Sequence, residues 1–375
     1  MIYLDYAAHT PADPAVTDAF LQATCQFTAN ANAPYPPGQA AKARLSDAAR
    51  HIASLLNVPP DALIFTSGAT EANNLAIKGV AEKYKRYGKH IISTPLEHSS
   101  VNGPLAYLAQ QGFEIDYCEL GADGTVDTAH LASLLRDDTI LVSICWVDSE
   151  LGIVQPIHDI AAKLAGRPHC FFHTDATQAV GKIPVSLCGI GLTSFAPHKF
   201  FGLGGSGMLI RNDNVLLEPQ IHGGISLTPF RSGTPALELA VAAEKALDIA
   251  SAQQQSRYVV VEAFNARLKR ALNGIAGVRI NSTSASVPHI INFSLPGVRT
   301  DAVQAFLAEQ GIYVATRSAC CAPGTVSRPV YALTHDKKAA LSTLRVSLSH
   351  LTREGDIDLL AQALKESIEK VRGHS

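Results

Sequence analysis

The chain has 375 residues, 47% of them hydrophobic, and a formal charge of −2. That length supports a large core, read as one big domain plus a smaller one, and the near-zero charge gives no bulk electrostatic reason to bind nucleic acid or a membrane surface. MIYLDYAAHT has no basic region before an apolar core, and no run of about 18 apolar residues occurs, so the expectation is a cytoplasmic protein without a membrane span.

Residues 1–14 read as a short strand-like segment that turns polar. A helix is expected over 14–25, a proline-bearing loop over 28–38, and a helix over 41–57 with Leu45, Ala49, Ile52 and Leu56 on one face. From residue 62 strands and helices alternate. Strands are expected at 63–66, 90–94, 113–118, 140–147, 169–174, 193–196 and 207–211, and helices at 71–87, 99–111, 131–136 and 157–165. Such alternation with apolar strands argues an α/β fold with a mostly parallel, doubly wound sheet covered on both faces. A long helix from 236 past 258 leads into a smaller α+β region, with strands near 279–280, 289–295 and 312–315 and a helix at 301–310. Ile357, Leu360, Leu364, Ile368 and Val371 form a packing stripe on a last helix. The expected division is a large domain over 15–250 and a small one built from 1–14 and 251–375.

Ligands of open α/β sheets bind beyond the carboxyl ends of the strands. Four groups fall there: Ser67-Gly68-Ala69-Thr70, His98, Asp175 and Lys199. Lys199 lies in SFAPHKFFGLGGSG, beside Phe200 and Phe201. Desolvation lowers an ammonium's pKa toward the nucleophilic amine, which is what a Schiff-base lysine for pyridoxal phosphate (PLP) requires. On that stretch alone a surface lysine remains the better reading. Gly202, Gly204 and Gly207 match the dinucleotide pattern G-x-G-x-x-G, but a strand-like MLIR follows instead of a helix, and no acid lies about 20 residues on, so a nicotinamide site is rejected.

Ser67 to Glu71 joins a strand to a helix, where free N–H groups and the Thr70 hydroxyl suit a phosphate, although an ordinary cap looks the same. Asp175, in HTDATQ, can hold a pyridinium nitrogen protonated or simply cap a helix. His98, in LEHSSV, can stack on a ring or carry protons, whereas a lone histidine is usually structural. The seven cysteines (Cys25, Cys118, Cys145, Cys170, Cys188, Cys320 and Cys321) show no C-x-x-C spacing, so neither a disulfide framework nor a zinc site is expected, and most are read as small core residues. Cys320-Cys321, in the Gly/Pro-rich RSACCAPG, point instead to chemistry.

Taken together, YLDYAAHTP, FTSGATEANNLAIKG, PLEHSSV, ELGIVQPI, HTDATQAVGK, APHKFFGLGGSG, RSGTP and RSACC followed by LRVSLS resemble the cysteine desulfurases, the NifS/IscS-like group of the class V aminotransferase superfamily. The likeness spans nearly the whole chain. It implies the PLP-dependent transferase fold of type I and a homodimer with active sites at the subunit boundary. It implies that Lys199 bonds covalently to PLP and abstracts the Cα proton of the substrate, L-cysteine. Asp175 pairs with the pyridine nitrogen, Gln178 hydrogen-bonds the ring hydroxyl, and His98 stacks on the ring and assists proton transfer. Ala69, Thr70 and His198 belong to the cofactor site, the latter two at the phosphate, which Thr234 reaches from the partner subunit. Arg345 clamps the substrate carboxylate, with Ser149 beside it. Cys320 attacks the substrate sulfur, becomes a persulfide and passes sulfur to a protein acceptor in iron–sulfur assembly, tRNA thiolation or DNA sulfur modification, with alanine released.

Some positions depart from the family pattern. The segment 30–38 lacks G-N-P-S-S-x-H, with Tyr35 near where the histidine lies. Ser149 stands in place of an asparagine and Ala196 in place of a serine, and Ile225, Leu227 and Pro229 replace glycine, acid and glycine. One lost neutral hydrogen bond costs about 0.5–1.5 kcal/mol, so PLP is expected to bind still. The alternatives are a selenocysteine lyase or another PLP-dependent C–S lyase, and a non-catalytic relative acting as a binding partner. Cys321 can relay the persulfide or fill space.

Overall fold

The computed structural model describes residues 1–224, 227–316 and 325–373, so Cys320, Cys321 and Ile225 lie outside the described residues. Its strands are β1 (Ile2–Tyr3), β2 (Leu63–Thr66), β3 (His90–Ser93), β4 (Glu114–Tyr117), β5 (Thr139–Ser143), β6 (Phe171–Asp175), β7 (Leu192–Phe195), β8 (Gly207–Arg211), β9 (Arg279–Ile280), β10 (Ile290–Ser294), β11 (Ile312–Tyr313) and β12 (Thr343–Ser347). The helices are α1 (Pro14–Gln26), α2 (Pro36–Leu55), α3 (Ala69–Tyr84), α4 (Ser99–Gln110), α5 (Thr128–Leu134), α6 (Ile157–Leu164), α7 (Leu237–Asn273), α8 (Thr300–Glu309), α9 (Arg328–Thr334), α10 (Lys337–Leu341) and α11 (Glu354–Gly373).

Seven strands form one sheet in the order β2-β8-β7-β6-β5-β3-β4. Only β8 runs against its neighbours, so the carboxyl ends of β2, β3, β5, β6 and β7 share an edge. The apolar pairs along these strands explain the layering, because successive side chains point to opposite faces. Ile91, Leu141, Phe171 and Leu209 pack with α3 and α4 in one cluster. Their neighbours Ile92, Val142, Phe172 and Met208 pack with residues of α6 and α7 in another. The sheet is thus buried on both faces, as the doubly wound reading requires.

A further cluster joins Leu4, Val261 and Leu268 to Ile291, Phe293, Leu344, Val346, Ile357, Leu360 and Ile368. Here β10 pairs with β12 and β9 in an antiparallel sheet, and β1 pairs with β11.

Two expectations are corrected. The second helix starts at Pro36 and not near 41, because two prolines occupy its first positions, where a missing N–H costs nothing. The strand expected over 140–147 ends at Ser143, and Cys145, Val147, Asp148 and Ser149 beyond it line a cavity. Of the five described cysteines, Cys118, Cys145 and Cys170 are buried, in line with the reading that most are core residues, and Cys25 and Cys188 are exposed. β12 was not foreseen as a strand. Among the described residues no helix is long and apolar enough to cross a membrane.

Candidate active site

At the shared strand edge lies a cavity of about 410 Å3. It gathers Ala69 and Thr70 after β2, His98 after β3, Ser149 after β5, Asp175 and Gln178 at and after β6, His198 and Lys199 after β7, and Arg345 from β12. Thr234 is not among its lining residues. It is exposed and borders a neighbouring cleft with Ser67 and Arg231.

Lys199 ends a short 3-10 turn, Pro197–Lys199. Its Nζ donates to Ala8 O at 2.6 Å and to Ala7 O at 3.0 Å, so the amine is aimed by the N-terminal segment of the chain. The next residue but one, Phe201, has φ +70°, a left-handed conformation that costs a non-glycine residue about 1–2 kcal/mol. Two contacts hold it there: its N–H donates to Thr10 Oγ1 at 2.7 Å, and its ring faces Arg257 at 5.0 Å. The glycine pattern at 202–207 runs into β8 and not into a helix, which excludes the dinucleotide geometry.

Asp175 is 7% exposed. Its Oδ2 accepts from Asn73 Nδ2 at 2.7 Å and its Oδ1 from Thr177 N at 3.0 Å. Asn73 also donates to Ser100 Oγ at 2.9 Å, and Ser100 binds His98 Nδ1 through both its hydroxyl and its N–H. Because Nδ1 accepts from Ser100 N–H, the neutral ring carries its proton on Nε2. Burial, which prevails over the opposing pull of Asp175 and is aided by the charge of Lys199, holds His98 below the ordinary histidine value. His198 is lower still, at about 4, through burial and then the charges of Lys199, His9 and Lys182. Both imidazoles are neutral near pH 7 and able to accept a proton.

No side chain caps the N-terminus of α3, where Gly68 is the cap residue, so its first N–H groups remain available to an anion. Glu71 in that first turn does not repel one strongly, because Arg231 neutralises it at 2.8 Å. Burial would raise this carboxyl, but hydrogen bonds from Arg231 and Ser67 prevail and lower it. Gly207 of β8 presses on this loop. A Cβ there would lie 2.3 Å from the Gly68 carbonyl carbon, so only glycine fits.

Arg345 is 1% exposed. It donates through NH1 to Ser149 O and through NH2 to Asp5 Oδ1, both at 2.7 Å, while its buried Nε has no partner. A guanidinium so fixed, with a donor to spare, suits a carboxylate entering the cavity.

Several contributors escaped the sequence reading: Asn73, Ser100, Asp5, Lys182 and the Ala7 and Ala8 carbonyls. Another is Glu97, buried with Oε1 accepting from Cys145 N at 2.8 Å and Thr94 Oγ1 at 2.9 Å. Burial pushes its carboxyl up to about 8, so it is protonated at neutral pH. The only sequence signal for Asn73 is a polar residue amid the buried stretch Ala72, Leu75, Ala76 and Ile77 of α3.

The residues present fit PLP. They supply an amine, a carboxylate, an uncapped helix start and, at Thr177, a buried hydroxyl without a partner on the same cavity.

Comparison with known proteins gives the same direction. The family model for aminotransferase class-V matches residues 2–360. The chain is 37% identical over 383 residues to the cysteine desulfurase IscS of Pectobacterium carotovorum, covering 99% of this chain and 93% of that one. A solved NifS-like protein superposes with a TM-score of 0.92 at 30% identity, covering 98% of this chain and 99% of the other. SspA, solved in complex with cysteine, does so with a TM-score of 0.81 at 30% identity, over 93% and 99% of the two chains.

Proposed function

The chain belongs to the class-V aminotransferases, within their PLP-dependent cysteine desulfurases, and we propose that its own reaction is the removal of sulfur from L-cysteine, leaving L-alanine. The observation that carries this reading is the convergence of Lys199, Asp175, His98 and Arg345, from separate elements, on one cavity.

PLP, when bound, supplies an electron sink for the substrate's Cα electrons, which turns the substrate sulfur into a leaving group. Lys199 is the residue that holds the cofactor and takes the Cα proton. Asp175, oriented by Asn73 and Thr177, would face the cofactor's ring nitrogen. His98 covers the ring, with Nε2 as the site of its exchangeable proton. Thr70, Ala69, His198 and the first N–H groups of α3 receive the phosphate, and Gln178 the ring hydroxyl. Arg345 fixes the substrate carboxylate, with Ser149 orienting the guanidinium through its backbone carbonyl.

Cys320 is the proposed acceptor of sulfur. Its thiolate attacks the substrate sulfur, an S–S bond forms, the C–S bond breaks, and a protein acceptor later takes the terminal sulfur. We read residues 15–250 as the large domain and 1–14 with 251–375 as the small one, a division supported by the separate apolar cluster around β10 and β12. We also propose a homodimer, supported by the exposure of Thr234 away from its own cavity, and a cytoplasmic location.

The test is to load the purified protein with PLP and measure its visible band and its alanine production from L-cysteine, beside Lys199→Ala. A band and alanine in the wild type, with both lost from Lys199→Ala, are expected. A wild-type protein that binds PLP without producing alanine would overturn the assignment.

A further inference from the structure

Lys199 and Ala7 form a partition. In front of them lies the main cavity, and behind them a second one of about 30 Å3, whose wall includes Lys182 and His289. Lys182 follows Gly181, whose φ of +75° and tight approach to Phe200 set the turn that presents it. The lysine is part-buried, and its amine is drawn down to about 7, first by burial and then by the positive charges of Lys199 and Arg345.

Its contacts are specific. Lys182 Nζ donates to Gln178 Oε1 at 2.6 Å, and Gln178 Nε2 donates to Ala7 O at 2.9 Å. Ala7 O also accepts from Lys199 Nζ at 3.0 Å. An amine donor can meet only the oxygen of an amide, and a carbonyl only its NH2 group, so the orientation of Gln178 is set from both sides. The oxygen is occupied by Lys182, and the NH2 keeps one hydrogen to offer the main cavity.

We propose that Lys182 is a positioning residue of the cofactor site: it locks Gln178 as a donor toward the cavity and places a second amine behind Lys199. This rests on the reading that PLP occupies the main cavity with its ring oxygen at Gln178. A donor to that oxygen favours its anionic form, and Lys182, in the fraction of molecules where its amine is charged, disfavours a protonated nitrogen there. Both lower the pH at which the proton shared by that nitrogen and oxygen is lost. Asp175, His98, His198 and Arg345 also face Lys199 from the front, and His289, His350 and Arg257 line the rear cavity. All are retained when Lys182 alone is changed, so the difference isolates this residue.

The test is a pH titration, from about 5 to 10, of the visible band of the PLP-loaded full-length protein without substrate. Wild type is compared with Lys182→Met, Lys182→Arg and Lys182→Gln. Lys182→Met should move the midpoint upward by about half a unit or more, the scale of one nearby charge in a partly solvated site. Lys182→Arg, which keeps the donor and stays charged over the whole range, should stay at or below the wild-type midpoint, and Lys182→Gln, which keeps only a donor, should fall between wild type and Lys182→Met. The melting temperature of cofactor-free Lys182→Met should be unchanged or higher, since a lysine so depressed adds no stability. A midpoint unmoved in Lys182→Met overturns the proposal. So does failure of both neutral variants to load PLP, which would make Lys182 a requirement for binding and not a positioning residue. Absence of a band in wild type would instead refute the cofactor reading.

Discussion

Arg345→Lys separates binding of the substrate carboxylate from the chemistry that follows. In the wild type, two guanidinium nitrogens are engaged by Ser149 O and Asp5 Oδ1, each at 2.7 Å, and Nε is left without a partner. A lysine ammonium held by the same two acceptors keeps one donor for the substrate and loses the planar fork that allows a paired grip. One charge-assisted hydrogen bond is lost, worth about 1.5–3 kcal/mol, which corresponds to about ten- to 150-fold in kcat/KM. The loss should fall on KM, because the carboxylate is held equally before and during C–S cleavage. The assay is alanine release at varied L-cysteine, with the visible band and melting temperature checked for intact cofactor loading and folding. An unchanged KM in a well-loaded variant would refute the assignment of Arg345.

Two further outcomes follow from the site. Glu97→Gln keeps an oxygen for Cys145 N and Thr94 Oγ1 but cannot ionise. A carboxyl raised to about 8 in the folded state costs stability progressively as pH rises from about 5 through about 8, so the variant should match wild type at pH 5 and exceed it by about 1 kcal/mol or more at pH 8 in denaturant unfolding. Equal pH dependence in both proteins would contradict a buried neutral Glu97. Gly207→Ala places a Cβ 2.3 Å from Gly68 backbone, so the loop before α3 must shift. Weaker PLP binding and destabilisation of about 1–3 kcal/mol are expected, read by cofactor titration and thermal melts, and a wild-type PLP affinity would show that this loop does not form the phosphate site.

The large sheet was legible because its strands carry adjacent apolar residues, such as Ile91-Ile92 and Phe171-Phe172, that must both be buried, and this occurs only between two helical layers. By contrast, β12 reads Thr-Leu-Arg-Val-Ser, and a buried arginine at its centre conceals a strand that the neighbouring β10 secures. The titratable site residues were legible because their chemistry is unusual at strand ends. Asn73 was not, since its acceptor on Asp175 lies 102 residues away and no local pattern announces it. The carbonyls of Ala7 and Ala8, which aim Lys199, carry no side-chain identity for a sequence to display. Lys182 carries no signal of its own in HTDATQAVGK, and its contact with Gln178 belongs to the fold.

The most direct test of the account is to incubate the PLP-loaded protein with L-cysteine under non-reducing conditions and locate the added sulfur by mass spectrometry of its peptides. Wild type, Cys320→Ala and Cys321→Ala are compared, with alanine measured alongside. The account predicts a one-sulfur gain on Cys320 in wild type and in Cys321→Ala, and loss of both the gain and alanine turnover in Cys320→Ala. Sulfur carried on Cys321, or alanine turnover that survives Cys320→Ala, would contradict it.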